Sequence, residues 1–322
     1  MPDTVTVSNR HGVAILTLHN PPVNGFGFAL RTGLRDAFDE TRQNNGIQAL
    51  VITGSGKMFS AGADIREFGC TPPPGTPDLP ELINAIEASE KPVIAAIHGV
   101  ALGGALEVTL GCHLRLAAPN TRLGLPEVTL GIVPGAGGTQ RLPRLIGVEP
   151  ALTMIVSGTL VSAVKAKAIG VLDEIVEGDL IDAAVKSARR YVDENRPIRR
   201  TSTLNDRLTE ARNKPEIFEK YRKQMARRSR GFEAPYACVA CIEAAVEQPF
   251  TAGLVTERET FLRLIASDQS KAQRYAFFAE REVAKIPDVP RDTPNLPIKA
   301  AAVIGCGTMG GGIAMNFANA GI

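Results

Sequence analysis

The sequence predicts an α/β fold, and three observations carry that expectation. Short apolar runs alternate along the chain with segments whose apolar residues recur at helical spacing. Glycine-bearing loops stand where these runs meet. One run, VIAAI at 93–97, has no polar member, as a strand buried on both faces requires.

Residues 5–7 and 13–18 alternate apolar and polar positions about Arg10-His11-Gly12, which predicts a β-hairpin ending at Asn20-Pro21-Pro22. A helix follows over about 30–41. ALVIT at 49–53 reads as a buried strand opening into Gly54-Ser55-Gly56, and FSAGADIREF at 59–68 as a second glycine-bearing loop entering a helix. TPPPG at 71–75 predicts a flexible loop, 79–88 a helix, and 93–97 the next strand. Beyond Cys112, 113–118 predicts another strand, and 151–156, 163–169 and 180–195 predict helices.

The stretch PVIAAIHGVALGGALEVTLGC, residues 92–112, concentrates the chemistry. Gly99, Gly103 and Gly104 break its apolar pattern, and 105–110 resumes it with a single charge, Glu107. A helix starting at the glycine pair would have free amides at its first turn, although Leu106, Val108 and Leu110 also alternate as a strand would. On a helix, Glu107 shares a face with those amides, three residues after Gly104. Two readings stand: a catalytic pocket, or a buried Glu paired with an Arg or Lys. Asp64 reads as an N-cap. Its neighbour Ala63 offers a second free amide, and two amides from separate loops make an oxyanion hole. Glu127 is the one charge between Leu123 and Val133, and forms a candidate acid/base pair with Glu107. His98 reads as structural.

Composition narrows the classes. The chain has 322 residues, 44% hydrophobic and 22% charged, which suits two globular domains or one with an appendage. A net charge of +2 gives no whole-chain attraction to nucleic acid or anionic membrane, and the absence of Trp disfavours base stacking. Five cysteines do not make a disulfide framework. Cys238 and Cys241 form a lone CxxC without a second pair or nearby His, so no metal site is assigned. With no signal-peptide pattern and no uninterrupted span of membrane length, a soluble protein of a reducing compartment is expected. Residues 196–230 hold twelve Lys/Arg and four Asp/Glu, a local net of +8, which reads as a solvated helical face rather than a phosphate site. Residues 250–282 predict a helical stretch, and the proline-rich 286–297 a linker. From 298 to 322 the pattern is an apolar strand, Gly305-Cys306-Gly307-Thr308-Met309-Gly310, and an Ala-rich helix. That is the first β-α of a Rossmann domain, with a partial NAD site at Gly305, Gly307 and Gly310.

FSAGADIREF, HGVALGGALEVTLGC and PEVTLGIVPGAGGTQRL, in this order and spacing, resemble the enoyl-CoA hydratase/isomerase (crotonase) superfamily over residues 5–195. The resemblance implies a ββα spiral core. It implies that the amides of Ala63 and Gly104 hold a thioester oxygen, that Glu107 and Glu127 are catalytic, and that Gly135 helps position water. Ala61, Gly62, Asp64, Ile65, Leu102 and Gly103 fall at CoA- and substrate-binding positions. Relatives that are only isomerases or thioester hydrolases often lack one glutamate, so the pair favours hydration. The alternatives are an isomerase, a hydrolase, or a non-catalytic CoA-binding or thiolase-docking subunit.

NPPVN at 20–24, SDQSKAQRYAFFAERE at 267–282 and IGCGTMGGGIA further resemble multifunctional β-oxidation enzymes. The implied division is a hydratase domain at 1–195, a helical extension at 196–285, a linker at 286–297, and the truncated start of a 3-hydroxyacyl-CoA dehydrogenase at 298–322. Hydration needs no cofactor; NAD serves the parent enzyme. Enoyl-CoA is the implied substrate and a thiolase subunit an implied partner. The implied location is the bacterial cytoplasm, or the peroxisome in a eukaryote. Isolated relatives form trimers and hexamers; in fused ones a linker helix covers part of that interface. The segment 267–282 should therefore pack Tyr275, Phe277 and Phe278 on the core, and 298–322 should be poorly ordered and bind no NAD.

Overall fold

The structure is a computed structural model and describes residues 4–322 other than 230, 284, 287, 291 and 295. Pro287, Arg291 and Asn295 of the expected linker, and Arg230 of the basic run, thus lie outside the described residues.

The N-terminal hairpin forms as β1 (Val5–Arg10) and β2 (Val13–Leu18), with Arg10 opposite Val13. Its two turn residues, His11 and Gly12, have φ of 55° and 78°, the left-handed pair that matches the strands' twist. The further strands are β3 (Ala49–Gly54), β4 (Val93–Ile97), β5 (Val100–Leu102), β6 (Leu114–Ala117), β7 (Arg122–Gly124), β8 (Val161–Ser162) and β9 (Glu174–Ile175). One sheet runs β1-β2-β3-β4-β6-β9, parallel throughout except for β1. A small second sheet, β5-β7-β8, carries the chain into the site.

The helices begin with α1 (Phe28–Gln43), α2 (Leu79–Glu87) and α3 (Gly104–Gly111). Next come α4 (Gly138–Ile146), α5 (Val148–Ser157), α6 (Ala163–Ile169) and α7 (Leu180–Asp193). The period of two along each strand sorts the main sheet into two apolar faces. Leu16, Leu50, Ile52, Ala95 and Ile97 join α1, α2 and α3 in the larger core. Val13, Ile15, Val51, Ile94 and Ala96 meet Ala184, Val185 and Ala188 of α7. That two-sided burial is why 93–97 needs no polar residue.

The extension comprises α8 (Asp206–Arg212), α9 (Glu216–Arg228), α10 (Ala234–Glu247), α11 (Phe250–Ile265) and α12 (Asp268–Val283). It does not stand apart: α10 packs on α4 and α5, and α11 on α4. The chain divides into two compact units, 1–277 and 278–322. Cations of the basic run have local partners, as Arg199 with Asp173 and Arg222 with Glu219. Cys238 and Cys241 are buried in α10, which pushes the Cys241 thiol up to about 12. The single helical stretch expected at 250–282 is two helices. The Ser267 hydroxyl accepts the Ser270 amide at 3.1 Å, opening a new helix after α11 ends.

The expectation for 267–282 is corrected in one respect. Phe277 packs against the core, but Tyr275 and Phe278 are exposed. Instead, α12 is fastened by polar groups: Ser270 Oγ donates to Leu130 O at 2.9 Å and Gln273 Nε2 to Thr129 O at 3.3 Å.

In the second unit, Gly307 caps α13 (Thr308–Asn319), the helix expected after the glycine turn. The strand expected before it is absent. Ile304 is exposed, and no described strand lies alongside to complete a ladder. The glycine turn does form. Gly305 has φ +101°, and a Cβ on Gly310 would lie 1.8 Å from Gly305 O.

Candidate active site

Two loops meet edge to edge between the sheets. The first, between β3 and α2, is stitched to β5 by Ser60, whose amide donates to Val100 O at 3.1 Å and whose carbonyl accepts from the Leu102 amide at 3.2 Å. Phe26 adds a parallel bridge to Ala63 through its amide on Gly62 O, 2.8 Å. The second loop is the β5–α3 corner. Gly103 there has φ +52°, and a Cβ would stand 3.0 Å from Glu127 Oε1. Gly104 opens the helix, and a Cβ on it would stand 3.4 Å from the Ala63 nitrogen. Gly62, at φ +105°, is what lets the two backbones touch, since a Cβ there would lie 2.6 Å from Leu102 O. Neither the Ala63 nor the Gly104 amide donates to a described acceptor.

Glu107 projects from the first turn of α3 and is buried. Its Oε1 accepts the Ala136 and Gly138 amides, both at 2.8 Å, from the loop that starts α4. Burial pushes its carboxyl up to about 7; the two amides, Arg141 and Arg258 act in the other direction. Among the described residues no cation lies in salt-bridge contact with it: Arg141 pairs with Glu87 and Arg258 with Asp78. Glu127 sits on the single 3₁₀ turn Pro126–Leu130. Its Oε2 is buried without a partner among the described residues. Burial, then the charge of Glu107, raise its carboxyl well above the usual range. Two neighbouring carboxyls, both raised by burial and one raised further by the charge of the other, are the components of proton transfer in both directions.

Other predicted positions have varied surroundings. Asp64 is the N-cap of the turn Ile65–Glu67, accepting the Arg66 amide at 3.0 Å; hydrogen bonding to the Arg66 side chain lowers its carboxyl. The Ala61 amide is taken by Val23 O at 2.9 Å. Ile65 packs against the core. Gly62 approaches Leu102 O, where a Cβ would be 2.6 Å away. Gly135 seats Phe261 of α11: a Cβ would lie 2.4 Å from the ring. The amides that hold Glu107 are those of Ala136 and Gly138, not Gly135. His98 Nε2 lies 3.2 Å from Gly56 O and its carbonyl accepts the Phe59 amide, so it shapes the loop.

The enoyl-CoA hydratase/isomerase family description matches residues 8–235, well over half of the chain. The chain belongs to that family. A peroxisomal bifunctional enzyme from Cavia porcellus is 41% identical over 322 residues, covering 97% of this chain and 43% of the relative. The peroxisomal fatty acid beta-oxidation multifunctional protein AIM1 of Arabidopsis thaliana is 37% identical, covering 97% and 44%. The chain thus spans less than half the length of these relatives. The crystal structure of carnitinyl-CoA hydratase from Mycobacterium avium is 26% identical, with a TM-score of 0.64 over 87% of this chain and 97% of that one. The crotonase-like α/β core is therefore shared with solved family members.

A third buried carboxyl escaped the sequence reading. Glu257, on α11, accepts the Gly137 amide at 2.5 Å, the Thr139 amide at 2.8 Å and the Thr139 hydroxyl at 2.5 Å. The signal for it was a Glu in step with Gly253 and Leu264 on one buried helix face.

Proposed function

We propose that this family member adds water across the double bond of a trans-2-enoyl-CoA, giving the (S)-3-hydroxyacyl-CoA of fatty-acid β-oxidation. One observation supports this above the rest. Two unengaged amides, Ala63 and Gly104, adjoin two buried carboxyls, both raised by burial and Glu127 raised further by the charge of Glu107.

The thioester oxygen accepts from both amides. As water attacks the β-carbon, negative charge moves onto that oxygen and strengthens both hydrogen bonds, which lowers the barrier selectively. Glu107, ionised in a substantial fraction near pH 7, takes the proton from the attacking water. Glu127, held protonated by burial and by Glu107, gives its proton to the α-carbon as the enolate collapses. The oxygen–carbon bond forms, the carbon–carbon π bond becomes the new C–H bond, and Glu107 ends protonated with Glu127 ionised. Solvent exchange resets the pair. A 3-enoyl chain offers the same carboxyls a proton to move between carbons, which makes isomerisation a companion activity.

The site residues named from the resemblance are proposed in these roles, with Gly135 and the loop 61–65 on the substrate's path. The Gly305-Gly307-Gly310 turn is proposed as the start of an NAD-binding dehydrogenase unit, supported by its geometry and by the full-span match to bifunctional relatives. Loss of enoyl-thioester absorbance from crotonyl-CoA tests the hydratase. A folded protein that binds the thioester without consuming it would make this chain a CoA-binding subunit instead.

A further inference from the structure

Glu257 has no step in the reaction above, yet it is as buried as the carboxyls that do. The four successive amides of 136–139 explain its place. Ala136 and Gly138 donate to Glu107 Oε1, while Gly137 and Thr139 donate to Glu257. The loop is held from two sides by two carboxyls, each taking alternate donors. Gly253, one helical turn before Glu257, lets α11 come this close, since a Cβ there would lie 2.0 Å from Gln140 Oε1. Gln140 in turn donates to the Thr139 hydroxyl at 2.9 Å, which completes the clamp.

A cap on α4 would require only one neutral acceptor. A buried carboxyl beside another costs more than that task needs. We propose that Glu257 is a positioning residue for Glu107: from the far side of the loop it fixes the 136–139 amides that hold the Glu107 carboxyl. The inference rests on the hydratase reading above for its catalytic meaning.

Several ionisable groups surround this pair. Glu127 on the Pro126–Leu130 turn adds negative charge, Arg141 on α4 and Arg258 on α11 add positive charge, and Cys238 and Cys241 on α10 are held neutral by burial. Burial, then the charge of Glu107, push Glu257 up to about 8. Glu107, at about 7, ionises before Glu257, and the Ala136 and Gly138 amides favour its ionised form, so loosening them must keep Glu107 protonated to higher pH.

The test is Glu257→Gln, read in two ways. The acidic limb of the kcat/KM profile for crotonyl-CoA should move to higher pH by on the order of one unit, as the amides that favour ionised Glu107 loosen. Turnover should fall roughly tenfold or more from the loosened loop, with KM within about twofold. Glu257→Asp, which keeps two acceptor oxygens for the Gly137 and Thr139 amides, should show a smaller shift than Glu257→Gln. Independently of activity, ¹³C-labelled glutamate should show the Glu107 resonance, assigned by its loss in Glu107→Gln, titrating at higher pH in Glu257→Gln. An unmoved Glu107 midpoint overturns the proposal and leaves Glu257 a structural cap. A wild-type chain that does not hydrate crotonyl-CoA overturns the hydratase reading alone, because the resonance still reports on Glu257. If Glu257→Gln does not fold, Thr139→Val serves. It removes one tie between the loop and Glu257, so the Glu107 midpoint should rise by a smaller amount; an unchanged midpoint again overturns the proposal.

Discussion

Replacing Glu107 with Gln should reduce hydration while making the folded protein more stable at alkaline pH. The side-chain oxygen of Gln can still accept the Ala136 and Gly138 amides, which both use Oε1, so the loop keeps its anchor. The lost base should lower kcat by about 10²-fold or more. The stability change follows from proton linkage. The carboxyl lies at about 7 in the folded chain against an ordinary 4.5. Below pH 4.5 it is protonated in both folded and unfolded states, and ionisation costs nothing. Between 4.5 and 7 the unfolded chain ionises first, so stability falls as pH rises, and above 7 the loss is constant. A shift of that size in a fully buried group corresponds to at most about 3 kcal/mol. Urea unfolding at pH 4 and pH 8 checks it: the stability gain of Glu107→Gln should appear at pH 8 and vanish at pH 4. An equal difference at both pH values would refute the electrostatic argument, and undiminished turnover would refute the catalytic one.

Other perturbations test separate parts of the site. Gly104→Pro deletes one oxyanion donor at a helix's first turn, and in a folded protein should raise the barrier by about 2.7–4 kcal/mol, read as kcat. Glu87→Ala leaves Arg141, which it meets at 2.8 Å, as a buried unpaired cation, so urea unfolding should register a loss of about 3–5 kcal/mol. Ser270→Ala orphans the Leu130 carbonyl beside the Glu127 turn and should cost about 1–3 kcal/mol, with a lower kcat if α12 helps hold that turn.

Much of the main sheet was legible because its strands bury two faces or alternate cleanly, as in the hairpin and 93–97. Glu107 and Glu127 were legible for the opposite reason: each is the lone charge in an apolar run. The glycines beside them marked where two backbones touch. β5, β7 and β8 were missed because strands of two or three residues carry no period. The helix α4 was hidden by Thr139, Gln140, Arg141 and Arg144, four polar residues that would ordinarily mark a solvent face. All four are buried, and their partners come from distant parts of the chain: Glu87 for Arg141, Glu257 for Thr139, and the Cys241 carbonyl for Gln140. Thr139 and Glu257 are 118 residues apart. A local pattern registers an apolar residue's burial because water alone decides it. It cannot register a polar residue's burial, which depends on a partner supplied by the fold. The extension helices provide several of those partners, so the polar support behind Glu107 becomes readable only once α10 and α11 are seen packed on α4.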